Sequence, residues 1–161
     1  MSKQKAKGTE FESGFVRWWR RVTGDERAHR AALAGSADEG DVHGLYAHGC
    51  TGIAELKNYA DWKPSDLVRW EAETEAERGN AGADFALLVV HRRGADSTGR
   101  SASFGTNWCF VRLAELPVLH LGLARRMWPG SPVDDVTEDT WARLRLSDVA
   151  AMVMAGMEEI V

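Results

Sequence analysis

Apolar residues near the start of the chain follow a helical pattern. Four of them recur at helical spacing, namely Phe11, Phe15, Trp18 and Val22. This spacing predicts an amphipathic helix beginning near Gly8-Thr9. Thr9 is a suitable N-cap residue, and Glu12 stands three positions later, as in a capping box. Glu12 also lies beside the apolar stripe. A carboxylate at such a position is expected to have a specific partner or function.

Alternating and continuous apolar segments then predict strands. Residues 41–46 alternate, residues 49–52 (Gly-Cys-Thr-Gly) are typical of a hairpin turn, and residues 53–59 form the next alternating segment. A second helix is predicted from Pro64 to a stop at Gly79. The continuous apolar run at 85–90 predicts a central strand covered on both faces.

The predicted strand at 53–59 carries one carboxylate and one ammonium group on the same face. Successive strand side chains face opposite sides, so Ala54 and Leu56 are expected on one face of the sheet. Ile53, Glu55 and Lys57 are expected on the other face.

The rest of the chain completes a mixed α/β pattern. A fourth strand is predicted at 107–112, with helical patterns from about Leu116 and from Thr137 onward. The Pro129-Gly130-Ser131-Pro132 turn is the best candidate boundary. We therefore expect a core over residues 1–128 and an acidic, helical C-terminal extension over residues 129–161.

Composition fits a globular protein that works inside the cell. The 161 residues are 44% hydrophobic and 27% charged, enough for one core. No apolar run approaches the roughly 20 residues needed to cross a bilayer, and the first residues lack the apolar stretch of a signal peptide. Cys50 and Cys109 are the only cysteines, too few for a disulfide framework. A cytoplasmic location and no membrane partner are the predictions.

Charge is unevenly distributed along the chain. Residues 1–30 hold eight Lys or Arg against four Asp or Glu, a balance of +4, so the other residues carry -8 to reach the net charge of -4. A nucleic-acid binder needs local positive surface. The sequence places the clearest excess of positive charge at the N-terminus.

Several polar residues of the chain are of the types that hydrolysis of a phosphodiester bond requires. Magnesium ions can supply an activated water and neutralise phosphate charge, and magnesium needs only a few protein oxygens. Asp41, Glu55 and the carbonyl of Leu56 are candidate metal ligands. Lys57 would position the attacking water or offset negative charge. Glu12 would bind a second ion or a metal-bound water.

The order of these residues resembles a known nuclease family. Gly8-x-x-x-Glu12, Gly40-Asp41 and Glu55-x-Lys57 are similar to the archaeal and phage-encoded Holliday-junction resolvases of the PD-(D/E)XK superfamily. The resemblance covers roughly residues 5–113. It implies a restriction-endonuclease-like mixed sheet flanked by helices, dependence on Mg²⁺ with Mn²⁺ as a substitute, and a homodimer acting on four-way or branched DNA in recombination and repair. It also implies that Glu12, Asp41, Glu55 and Lys57 are catalytic.

Further residues are candidates for contact with DNA. The resemblance implies an Arg and a Ser ahead of the aspartate, for which Arg30 and Ser36 are the counterparts. Two arginines, Arg92 and Arg93, directly follow the predicted central strand. Three lysines near the N-terminus would form a flexible, DNA-reaching arm, namely Lys3, Lys5 and Lys7.

Plainer interpretations of the same residues stay open at this point. Glu12 could be a capping residue, Asp41 a turn residue, and Lys57 a surface lysine covering the sheet edge. The superfamily also contains nucleases that act on duplexes or DNA ends. A non-catalytic DNA-binding or scaffold module is a third possibility. The tryptophans are predicted to be mostly structural, and His43, His48 and Cys50 match no standard zinc pattern.

Overall fold

A six-stranded mixed sheet runs through the computed structural model, which describes residues 3–32, 38–59, 61–116 and 139–155. Its strands are β1 (His29–Arg30), β2 (Val42–Ala47), β3 (Cys50–Lys57), β4 (Phe85–Val90), β5 (Trp108–Arg112) and β6 (Trp141–Arg145). They lie side by side in chain order. β3 and β4 are parallel, and the other neighbouring pairs are antiparallel.

Helices cover both faces of this sheet, as predicted for a mixed α/β fold. They are α1 (Lys3–Thr23), α2 (Pro64–Ala81) and α3 (Leu146–Ala155), with short 3₁₀ turns at Ala102–Thr106 and Leu113–Glu115. α1 and α3 share the larger core cluster, which includes Phe15 and Val149. Trp70 of α2 packs with Leu88 and Val90 on the opposite face. No described helix is both long and apolar enough to cross a membrane.

α1 begins earlier than the sequence predicts. It starts at Lys3, so Thr9 and Glu12 lie inside the helix, and the predicted capping box is wrong. Lys, Gln and Ala are good helix formers even where no apolar stripe marks them. For the same reason the predicted flexible arm is wrong, because Lys3, Lys5 and Lys7 all belong to α1.

The turn between β2 and β3 is also shifted from its predicted position. β2 ends at Ala47 and β3 begins at Cys50, so the turn is His48-Gly49 rather than residues 49–52. Both turn residues have positive φ, 51° and 86°, as a two-residue hairpin with right-handed strand twist requires. Gly52 instead lies within β3, where a Cβ would stand 2.3 Å from the Phe85 ring.

α2 and β4 follow their predicted positions closely. α2 begins at Pro64, and the carboxylate of Asp66 accepts a hydrogen bond of 2.9 Å from the backbone N–H of Lys63. The helix continues past the predicted stop at Gly79, and Gly82 takes the left-handed closing position with φ 61°. All six residues of β4 are buried, as the continuous apolar run predicts.

The C-terminal segment differs from the helix predicted from Thr137. Residues Trp141–Arg145 form β6, which pairs with β5, and the helix begins only at Leu146. Leu146 and Val149 are fully buried in the larger core. The described part of the predicted extension is therefore a strand of the sheet and a helix of the core. The predicted helix from Leu116 and the boundary near Pro129 fall on residues 117–138, outside the described residues.

Candidate active site on the α2 face of the sheet

Asp41, just before β2, is anchored to β3 through its backbone and its side chain. Its N–H donates to the carbonyl of Ala54 at 3.1 Å. Its carboxylate Oδ2 accepts a hydrogen bond of 2.9 Å from the N–H of Leu56. These two bonds hold the Asp41 carboxyl beside the β3 residues that precede and follow Glu55.

Glu55 and Lys57 share one face of β3, as the alternation predicts. Ala54 and Leu56 enter the core under α1, whereas Glu55 and Lys57 face α2. The ammonium Nζ of Lys57 lies 2.7 Å from Oε1 of Glu55. Both side chains are largely buried, at 17% and 9% exposure respectively. A solvated surface pair is thereby excluded for these two residues.

α2 brings two further carboxylates to this face, and sequence reasoning assigned neither. Glu73 lies 3.1 Å from Nζ of Lys57. Glu77 is 5% exposed, and its Oε2 has no hydrogen-bond partner. Its carboxyl also contributes to raising the pKa of Glu55. The spacing of four residues in an acidic helix was the available signal, because it puts Glu73 and Glu77 on one helix face.

Burial and crowding of carboxyl groups dominate the electrostatics of the site. Burial, together with the neighbouring charges of Glu55 and Glu12, raises the pKa of Asp41 to about 8. Burial raises the pKa of Glu55 to about 7, although Lys57 opposes the shift. Burial also raises the pKa of Glu77. Burial disfavours the charge of Lys57, but Glu55 and Glu73 more than compensate, so its pKa is raised.

Glu12 reaches the Asp41 end of the site from α1. Its Oε2 accepts a hydrogen bond of 2.8 Å from Nε of Arg30 and forms an ion pair with Nη2 of the same residue at 2.6 Å. Arg30 pairs with Val42 in the sheet, next to Asp41. The negative charge of Glu12 also contributes to raising the pKa of Asp41. The capping role of Glu12 is ruled out by the position of Thr9 inside α1.

The other residues predicted to contact DNA lie in different parts of the chain and have different partners. Ser36 lies outside the described residues. Lys7 is exposed, and its carbonyl accepts a hydrogen bond of 3.0 Å from Nδ2 of Asn58, near the end of β3. Arg92 donates to the carbonyl of Thr106 at 3.0 Å. Arg93 is mostly exposed and forms an ion pair with Asp61.

The donor set is compatible with a divalent cation that takes few protein ligands. Across the described ranges, no three His, Cys, Asp or Glu side chains are arranged to hold an ion by themselves. The carboxylates of Asp41 and Glu55, with the carbonyl of Leu56, would instead form an open site completed by water and substrate, as magnesium prefers. The pKa values of Asp41 and Glu55 are raised even though Lys57 pairs with Glu55, so this one positive charge does not offset the burial of the carboxyl groups.

Comparison with known protein families, with characterised proteins and with solved structures found no match to this chain.

Proposed function

We propose that this chain is a magnesium-dependent DNA endonuclease of the PD-(D/E)XK type that hydrolyses phosphodiester bonds at four-way junctions or other branched DNA. One observation carries the proposal. The Asp41 carboxylate is hydrogen-bonded to the β3 backbone next to Glu55, and Glu55 pairs with Lys57 on the α2 face of the sheet. The charges of Glu55 and Glu12 both raise the pKa of Asp41. The types and order of these residues are those that the nuclease family uses.

The protein groups divide the chemistry between them. A bound magnesium ion would neutralise phosphate charge and supply an activated water. Asp41 and Glu55 would hold the cation, and the hydrogen bond from Leu56 fixes Asp41 for that task. The ammonium of Lys57 would stabilise charge on the phosphate oxygens, because Glu55 and Glu73 keep it protonated and in place.

A purely structural role explains this set poorly. Burying several carboxyl groups together costs free energy, and apolar side chains of similar size would stabilise the sheet at least as well. Groups with strongly shifted pKa values that meet at one place are typical of functional sites. The cost of burial at Asp41 and Glu55 is therefore evidence for binding a cation.

The test is cleavage of labelled four-way junction, flap, duplex and single-stranded DNA, with magnesium and with chelator. We expect magnesium-dependent, paired nicks across the junction. Symmetric incision requires two active sites, so size exclusion is expected to show a twofold dimer. Glu55→Gln should abolish cleavage, while Glu10→Gln, on the exposed side of α1, should cut as the wild type does.

Other outcomes separate the rival functions. Cleavage confined to duplexes or DNA ends would keep the nuclease and reject the junction substrate. DNA binding with no cleavage of any substrate would support a scaffold module. Cleavage by Glu55→Gln at the wild-type rate would show that the reaction takes place elsewhere.

A further inference from the structure

Three arginine side chains gather around one tryptophan at the end of the sheet. The guanidinium carbons of Arg145, Arg143 and Arg92 lie 4.0, 4.7 and 6.0 Å from the ring centroid of Trp108. Arg92 and Arg145 also donate hydrogen bonds to the same carbonyl, that of Thr106, at 3.0 and 2.9 Å. We call Arg92, Arg143, Arg145 and Trp108 the arginine cluster.

The arginine cluster has no carboxylate partner in the part of the chain that the structure describes. Within the described residues, none of its three arginines forms an ion pair, whereas other arginines such as Arg30, Arg78 and Arg112 do. Arg143 is exposed, and its described contact is with Trp108. Like charges held together without a carboxylate are unfavourable, so an anion would stabilise this arrangement. This local positive charge contrasts with the net charge of -4 of the whole chain.

The arginine cluster lies on the same face of the sheet as the candidate active site. Lys57 pairs with Val90, Val90 with Trp108, and Trp108 with Arg145, so these residues form one row across four strands. Residues directly opposite each other in a sheet point to the same side. Neighbouring strands lie about 4.8 Å apart, which puts the Arg145 backbone roughly 14 Å from that of Lys57.

We infer that the arginine cluster binds the phosphate backbone of the DNA that flanks the cleaved bond. Guanidinium groups bind phosphate well, and an indole beneath them holds them in place by cation–π contact. With a rise of 3.4 Å per base pair, roughly 14 Å corresponds to about four base-pair steps along a duplex. That the bound DNA runs from Lys57 to the arginine cluster rests on the proposed function. Binding of the phosphate backbone by the cluster does not itself require catalysis.

The experiment measures binding apart from cleavage. Fluorescence anisotropy of a labelled duplex in chelator gives the affinity of the full-length wild type at several salt concentrations. Arg143→Gln is expected to weaken binding and to lower the salt slope of log K by about 0.9, the contribution of one phosphate contact. Arg143→Lys, which keeps the charge, should retain most of the slope. Arg100→Gln is the matched control, because Arg100 is also exposed and forms no described ion pair.

The results separate the two proposals. If Arg143→Gln binds DNA with the affinity and salt slope of Arg100→Gln, or if the wild type does not bind, the inference is wrong. If the variant loses affinity while the wild type never cleaves with magnesium, the inference stands and the proposed nuclease fails. If the nuclease is active, Arg143→Gln should raise KM on branched DNA with long arms. A branched substrate whose cleaved arm ends within about two base pairs of the cut, well short of the arginine cluster, should show no difference.

Discussion

Asp41 and Leu56 are joined by a hydrogen bond of 2.9 Å from a backbone N–H to a carboxylate oxygen. A side chain thus takes the place of a strand partner just before the Val42–Ala54 pair, where β2 begins. The bond fixes one carboxylate oxygen of Asp41. It also makes Asp41→Asn an informative variant, because an amide oxygen can still accept from Leu56.

Asp41→Asn is expected to change how stability depends on pH in chelator. The pKa of Asp41 is about 8 in the folded protein, against 3.8 when exposed. The folded state therefore holds a proton that the unfolded state releases, and this contribution to stability is lost as pH rises from about 4 to about 8. Melting temperatures from pH 5 to 9 should show the variant gaining on the wild type as pH rises. Parallel curves would contradict the shifted pKa.

Lys57→Met is expected to lower cleavage by at least about 100-fold, since the charge opposite the phosphate is lost. Glu73→Gln is the matched comparison. It removes one partner of Lys57 but leaves the contact with Glu55 at 2.7 Å, so most activity should remain. Initial rates at saturating DNA, with melting curves for both variants, make the measurement. Equal losses in the two variants would show that Lys57 acts only through its position between the carboxylates.

Glu77→Gln is expected to stabilise the protein in chelator. Its Oε2 is buried without a partner and its carboxyl faces Glu55, so an amide N–H can replace an unfavourable contact with a hydrogen bond. The expected gain in the free energy of unfolding is about 1 kcal/mol. Glu75→Gln on the same helix should act in the opposite direction, because it breaks ion pairs with Arg78 and Arg112. Urea unfolding of both variants measures the two signs.

Gly99→Ala is expected to destabilise the fold by about 2 kcal/mol or more, through a steric clash. A Cβ at Gly99 would lie 1.9 Å from the carbonyl oxygen of Gly14 in α1. Gly94 provides the control, because it has a similar φ of 83° but nothing within 4 Å. Gly94→Ala should cost only the left-handed strain of about 1 kcal/mol. Similar losses in the two variants would mean that α1 can move away from the loop.

The part of the site that the sequence predicts is the part set by local periodicity. The period of two in β3 places Glu55 and Lys57 on one face whatever the strand packs against. The partners on that face depend on how α2 lies over the sheet, and no local pattern records this. The sequence therefore predicts that Glu73 and Glu77 lie on one acidic face of a helix. It does not predict that this face lies next to Lys57 and Glu55.

The errors in the predicted elements have similar causes. α1 extends back to Lys3 through residues that favour helix without an apolar stripe. The sequence does not predict β6, because Trp141–Arg145 runs directly into α3 without a turn signal between them. The pairing of β6 with β5 is a long-range contact, and it places Arg143 and Arg145 beside Trp108. The sequence alone therefore does not predict the arginine cluster.

α2 connects β3 to β4, the parallel pair at the centre of the sheet. The helix that carries Glu73 and Glu77 forms this connection, and its docking on the sheet contributes to the burial of Glu55. A chain caught before that step would leave Glu55 in water, where it would titrate as an ordinary glutamate. The protonation state of Glu55 therefore indicates whether α2 has docked on the sheet. Spectroscopy can follow this state during refolding without an attached label.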